Sequence, residues 1–224
     1  MSALSREVYP QMSSENDRVI VVGAGPVGLT AALALRRRGI ETLVLASGQA
    51  LVMELRGTTF HPPTLDLFDE FALVPRIIEV GLKAPTWQFR DRETGPVATF
   101  DLALLAGDQP PLPGAMRAVE ADAVSRREAA QEGVEFRFGH EVTAVRQDDD
   151  GVTVTANTAS GPVSVTGRYV IAADGARSAM RRSLGVEFEG FTYVELFLIA
   201  STDFPFENTL DRHRLCQLHA DPLE

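Results

Sequence analysis

The run Gly23-Ala24-Gly25-Pro26-Val27-Gly28 is the first stretch whose residue types and spacing could do chemistry. In a Gly-x-Gly-x-x-Gly pattern the first glycine permits a tight strand-to-helix turn. The second lets backbone approach a diphosphate, and the third lets helix and strand pack closely. A helix starting there adds unpaired N–H groups and roughly half a positive charge facing phosphate oxygens. The pattern carries weight only between a buried strand and a helix. Both are present. Arg18-Val-Ile-Val-Val22 is short, β-branched and apolar, as suits a strand covered on both faces. Pro26 to Arg38 reads as a helix, with Val27, Leu29, Ala31, Ala34 and Leu35 available to pack, arginines at its end and Gly39 as its stop. Glu41-Thr-Leu-Val-Leu45 completes a β-α-β unit, whose crossover implies parallel strands. Together these residues predict a dinucleotide site. One part of the fingerprint is missing. The end of the second strand normally carries Asp or Glu, about twenty residues on, to bind a ribose hydroxyl. That place holds Ala46, with Ser47 and Gln49 as the polar residues that could partly substitute.

The remaining chemical side chains read more plainly. His61, beside Pro62 and Pro63, is a helix-start residue before it is a base. His140, His213 and His219 lack metal-ligand spacing, and Cys216 has no Cys-x-x-Cys partner, so no metal site is expected. Asp148, Asp149 and Asp150 precede Gly151 without the spaced ligands of a calcium loop, and read as a hairpin tip. Arg36 to Arg38 is a helix end, and Trp87 a core residue. No Gly-x-Ser-x-Gly elbow is present. No catalytic residue can be named from these patterns.

The elements that must position the glycine turn follow from composition and period. In 224 residues, 45% hydrophobic and 23% charged, there is material for a buried core, and a disordered chain is excluded. The net charge of -10 argues against nucleic acid or an anionic membrane as partner, since either would repel it. One cysteine and no apolar leader in residues 1–17 point to a reducing cytoplasm. His61 to Phe71 reads as a helix burying Leu65, Phe68 and Leu73; Thr86–Arg90 and Val97–Asp101 are strand candidates, and Arg117 to Gln131 is helical. After Gly133 the period becomes two. Val134–Phe138, His140–Arg146, Val152–Thr155 and Val163–Val165, separated by turn residues, predict an antiparallel meander. Arg168–Ala172 is another buried strand, followed by Asp174-Gly175 and a short helix. On its own, Asp174-Gly175 is a simple turn.

In company with the glycine turn it is more specific. Tyr169-Val-Ile-Ala-Ala-Asp174-Gly175-Ala-Arg177-Ser178-Ala-Met-Arg181-Arg182 resembles the Asp-Gly motif of the FAD-dependent aromatic-ring hydroxylases, the para-hydroxybenzoate hydroxylase-like flavoprotein monooxygenases. Arg56-Gly-Thr-Thr-Phe-His61-Pro-Pro-Thr-Leu65 resembles that family's segment after the second strand, and Gly185 to Tyr193 its segment beyond the Asp-Gly motif. The resemblance spans about Arg18 to Phe206. It implies an α/β fold: a Rossmann-type FAD-binding domain with a parallel sheet, an antiparallel β-meander and part of a second, substrate-side sheet. It assigns 1–17 to an N-terminal arm, 18–80 to the FAD-binding core and 81–116 to a substrate-side layer. Residues 117–184 are then the rest of the FAD-binding domain, and 185–224 the start of a truncated substrate domain.

The implied function is hydroxylation of an aromatic or phenolic substrate with dioxygen, through a flavin C4a-hydroperoxide, after NADH or NADPH reduces FAD. The cofactor-binding residues it implies are Gly23, Gly25, Pro26, Val27 and Gly28 at the diphosphate, Arg56 for phosphate charge, and Asp174, Gly175 and Arg177 at the ribose or ribityl region. The family's glutamine-bearing segment has no match at Met116 to Asp122, and its later Gly-Asp motif is absent after Arg182. On this resemblance the chain is a truncated member, a fragment, or one that completes its site with another chain, and self-association would cover core exposed at the truncated edge. Two rival readings are a non-catalytic flavin- or nucleotide-binding module or partner subunit derived from that family, favoured by Ala46, and a plain NAD-dependent dehydrogenase, opposed by the Asp-Gly segment.

Overall fold

The computed structural model describes residues 17–50, 60, 62–80, 86–91, 94–101, 104, 118–194 and 215–220. The chain divides into two compact units, Met1–Leu55 with Val119–Glu187, and Arg56–Ala118 with Phe188–Glu224.

The first unit is built on a parallel sheet. Strand β1 (Val19–Val22) leads into helix α1 (Pro26–Arg37), which returns to β2 (Thr42–Leu45). β1 pairs in parallel with β2 on one side and with β9 (Tyr169–Ala172) on the other. Every residue of β1 and β2 is buried, as continuous apolar runs require when both sheet faces are covered. The full order is β5-β2-β1-β9, with β5 being Glu135–Arg137.

That position for β5 corrects the sequence reading, which has residues 134–138 open the meander. Instead Leu43–Leu45 pair in parallel with Glu135–Arg137. The preceding helix α4 (Ala118–Gln131) supplies a crossover, and strands after such a crossover run parallel. The antiparallel meander is thus three strands, β6 (Glu141–Gln147), β7 (Val152–Thr158) and β8 (Gly161–Gly167). Its inner residues Val142, Val145, Val152, Val154, Ala156 and Val165 form one core with Ile20, Val22, Leu43 and Leu45 of the parallel sheet. Met180 of α5 (Ala179–Ser183) joins that core.

The opposite sheet face meets α1. Its inward residues are Gly28, Leu29, Ala32 and Leu33, whereas Val27, expected to pack, is 71% exposed. Gly28 fixes this rotation: it lies against the Gly23 carbonyl and Val21 Cγ1, so residues one, four and five further on turn inward with it.

In the second unit, α2 (Pro62–Glu70) and α3 (Val74–Val80) bury Leu65, Phe68, Leu73, Val74 and Ile77. α3 is a helix that the sequence reading does not include. Strands β3 (Thr86–Asp91) and β4 (Gly95–Asp101) form an antiparallel pair, and β10 (Leu215–Ala220) adds to β3 in parallel. This three-stranded sheet is the second sheet that the resemblance implies.

Candidate functional site

A parallel sheet delivers all its strand ends to one edge, and ligands of such sheets bind where connections leave a strand in opposite directions. β1 is that strand, with β2 on one flank and β9 on the other. The glycine turn sits at its end. The Gly23 N–H donates to the Leu45 carbonyl at 2.8 Å, and the Ala173 N–H donates to the Val22 carbonyl at 2.8 Å. Hydrogen bonds therefore lock the turn to both neighbouring strands, and they bring the Asp-Gly segment beside it.

The three glycines do different work. Gly23 has φ +110°, a conformation that costs an L side chain, and a Cβ there would collide with the Ala173 carbonyl while sitting 3.1 Å from Asp174 N. A Cβ at Gly28 would collide with the Gly23 carbonyl. Both are required by the protein's own packing. Gly25 is otherwise: among the described residues, a Cβ there would meet nothing within 4 Å. Its side is open space, which a ligand's backbone approach would fill. Gly25 is also the N-cap of α1, makes no side-chain cap hydrogen bond, and precedes a first turn with no acidic residue. No carboxylate of that first turn therefore offsets the positive end of the α1 dipole. Pro26 and Val27 are exposed on that same first turn.

The Asp-Gly turn is held from within. Asp174 Oδ1 accepts from Ser178 Oγ at 2.6 Å, and Oδ2 accepts from the Met180 N–H at 3.1 Å. Ser178 Oγ in turn accepts from the Arg181 N–H at 2.9 Å, capping α5. Two arginines reach back to the loop: Arg181 Nη1 donates to the Ala176 carbonyl at 2.9 Å, and Arg182 Nη1 to the Arg177 carbonyl at 2.7 Å. Gly175 and Arg177 are exposed. Sequence reasoning misses Ser178 as the carboxylate's partner. The four-residue spacing from Asp174 to Ser178, ahead of a short helix, is the signal that could have found it.

At the end of β2, Ala46 presents a methyl group where the fingerprint asks for a carboxylate. The Gln49 side chain lies against Gly139, where a Cβ would be 3.0 Å from its Nε2. On α4, burial pushes the Asp122 carboxyl up to about 6. Arg56, His61 and Arg117 lie outside the described residues.

The bare turn, its helix start and the adjacent Asp-Gly loop form one edge suited to a dinucleotide diphosphate. Residues 16–218 match the family model described as FAD binding domain. The chain belongs to this FAD binding domain family. It is 32% identical over 194 residues to para-nitrophenol 4-monooxygenase of Pseudomonas sp. (strain WBC-3), covering 85% of this chain and 48% of that protein. It is 28% identical over 184 residues to pentachlorophenol 4-monooxygenase of Sphingobium chlorophenolicum, covering 81% and 34%. Among solved structures, p-nitrophenol 4-monooxygenase from Pseudomonas putida DLL-E4 matches with a TM-score of 0.74 and 33% identity, over 79% of this chain and 45% of that one. Aklavinone-11 hydroxylase, solved with FAD and aklavinone, matches with a TM-score of 0.69 and 27% identity, over 78% and 36%. These relatives agree with the resemblance to FAD-dependent aromatic-ring hydroxylases and with the α/β fold that it implies. The chain spans about half the length of these proteins or less. Among the described residues, no helix is long and apolar enough to cross a membrane.

Proposed function

We propose that this FAD binding domain chain serves an NAD(P)H-dependent flavoprotein monooxygenase that hydroxylates an aromatic or phenolic substrate. The observation that carries the reading is the open side of Gly25 beside the Asp174 turn. It supports the reading because, among the described residues, nothing lies within 4 Å of a Cβ there, which leaves room for the approach of a diphosphate. Within this reading, Gly23 and Gly28 keep the turn tight, while Gly25 and the first-turn backbone at Pro26 and Val27 take the diphosphate. Arg56 adds positive charge for the phosphates, since guanidinium matches their oxygens. Asp174 and Gly175 form the wall towards the ribityl or ribose part. Arg177 is exposed on the same turn and supplies charge at its rim.

When bound, the flavin supplies the redox chemistry, taking reducing equivalents from NADH or NADPH and delivering oxygen from dioxygen to the ring. The chain's part is to hold and orient it. That division explains why no acid–base pair is needed among the residues described. The names of the relatives favour a phenol: the relatives include nitrophenol and pentachlorophenol monooxygenases.

The test is a titration of the whole chain with FAD, followed by visible absorbance and by NADH or NADPH consumption with added phenols. Flavin binding with phenol-dependent consumption supports the proposal. Ala46 favours a second reading, a flavin-binding module without turnover of its own. Binding without consumption would select that second reading, and failure to bind FAD would refute both.

A further inference from the structure

Resting on the FAD reading above, we propose that the side-chain amide of Gln49 grips the adenosine ribose of the bound dinucleotide, replacing the carboxylate expected at position 46. The Gly23–Leu45 hydrogen bond places the end of β2 directly beside the glycine turn. A dinucleotide with its diphosphate on Gly25 would therefore lay its ribose over residues 46–50, where the fold's usual acidic residue stands. Ala46 cannot serve. Its methyl offers no acceptor, and both its backbone groups are spent: its N–H donates to the Arg137 carbonyl at 3.0 Å, and its carbonyl accepts from the His140 N–H at 2.9 Å.

The same network aims the next candidate. The Gly139 N–H donates to the Gly48 carbonyl at 2.9 Å, folding the loop after β2 onto the end of β5. Gln49 then lays its amide against Gly139, with Nε2 3.0 Å and Oε1 3.4 Å from where a Cβ would stand. The missing side chain at Gly139 gives the amide its place on the ligand-binding edge. A carboxamide carries a donor and an acceptor, which match a ribose diol that both donates and accepts. It is also neutral, so it grips less strongly than a carboxylate would.

The test uses ADP and 2′,3′-dideoxy-ADP as probes, titrated calorimetrically into the whole chain. We expect ADP to bind about tenfold more tightly, the worth of one to two neutral hydrogen bonds. Gln49→Leu should bring the ratio close to one without moving the melting temperature. Adding Ala46→Glu to that variant should restore the preference, because it returns a carboxylate to the usual place. A ratio unchanged by Gln49→Leu, a ratio near one in the unaltered chain, or no rescue by Ala46→Glu would each overturn the assignment. If ADP and FAD bind normally in those cases, only Gln49 is refuted. A chain that binds neither refutes the FAD reading itself, and this inference with it.

Discussion

Two turns stand side by side at the end of the parallel sheet, and they are built in opposite ways. The turn after β1 is kept open by glycine: among the described residues, Gly25 has nothing within 4 Å of a would-be Cβ. The turn after β9 is filled by its own groups, with Asp174, Ser178, Arg181 and Arg182 satisfying one another and the loop backbone. A binding edge needs both solutions. Under the proposed reading the open turn would admit the ligand, while the filled turn is a wall that does not collapse into the gap.

Gly23 is where the two turns depend on each other most. Gly23→Ala adds a side chain at φ +110° and against the Ala173 carbonyl. The expected cost is about 3–5 kcal/mol of folding stability, from strain plus overpacking, read from urea unfolding. A loss below 1 kcal/mol would show that the two turns do not abut as described.

Gly25→Val should do the reverse. Stability should change by less than about 1 kcal/mol, while FAD affinity falls at least about a hundredfold through blocked phosphate contacts. Fluorescence titration measures the second effect and thermal melting the first. Equal loss in both would erase the distinction between Gly25 and its neighbours.

At the filled turn, Asp174→Ala removes two hydrogen bonds of a half-buried carboxylate, and about 1–2 kcal/mol of stability should go with them. Asp174→Asn keeps one acceptor and should recover part of that. If the asparagine variant recovers stability yet still binds FAD weakly, the carboxylate charge reaches the cofactor as well as the turn. Ser178→Ala, which loses the α5 cap, should cost about 1 kcal/mol.

The smallest effect belongs to a carboxylate in neither turn. Burial raises the Asp122 pKa to about 6 in the folded chain, from 3.8. The folded state therefore holds this proton more tightly, so the contribution favours folding at pH below 3.8 and is lost as pH rises through 6. Because Asp122 is only partly buried, water screens the penalty, and about 1 kcal/mol is expected between pH 4 and 7. Asp122→Asn should flatten that slope, and unfolding midpoints at the two pH values check it.

Much of this arrangement is legible in the chain itself, because it rests on local chemistry. Continuous β-branched runs read as covered strands, and Gly23, Gly25 and Gly28 read as a turn between strand and helix. Long-range placement is less legible. The two-residue period of residues 134–138 is the same for a parallel edge strand as for a meander strand, so only pairing with β2 decides it. Val27 is apolar and helical, yet it faces outward because Gly28 must face β1. Asp174 is recognised by motif, but its hydrogen bonds to Ser178 and Met180 depend on how α5 folds back.

The sequence alone therefore determined the β-α-β unit, its glycine turn and the absence of an acid at position 46, since each depends on residues within one supersecondary unit. Tertiary structure decided which glycine faces open space, that a turn some 150 residues away forms the neighbouring wall, and that Gln49 folds over Gly139. Those facts come from strand pairing and close approach between distant segments, and no local spacing encodes them.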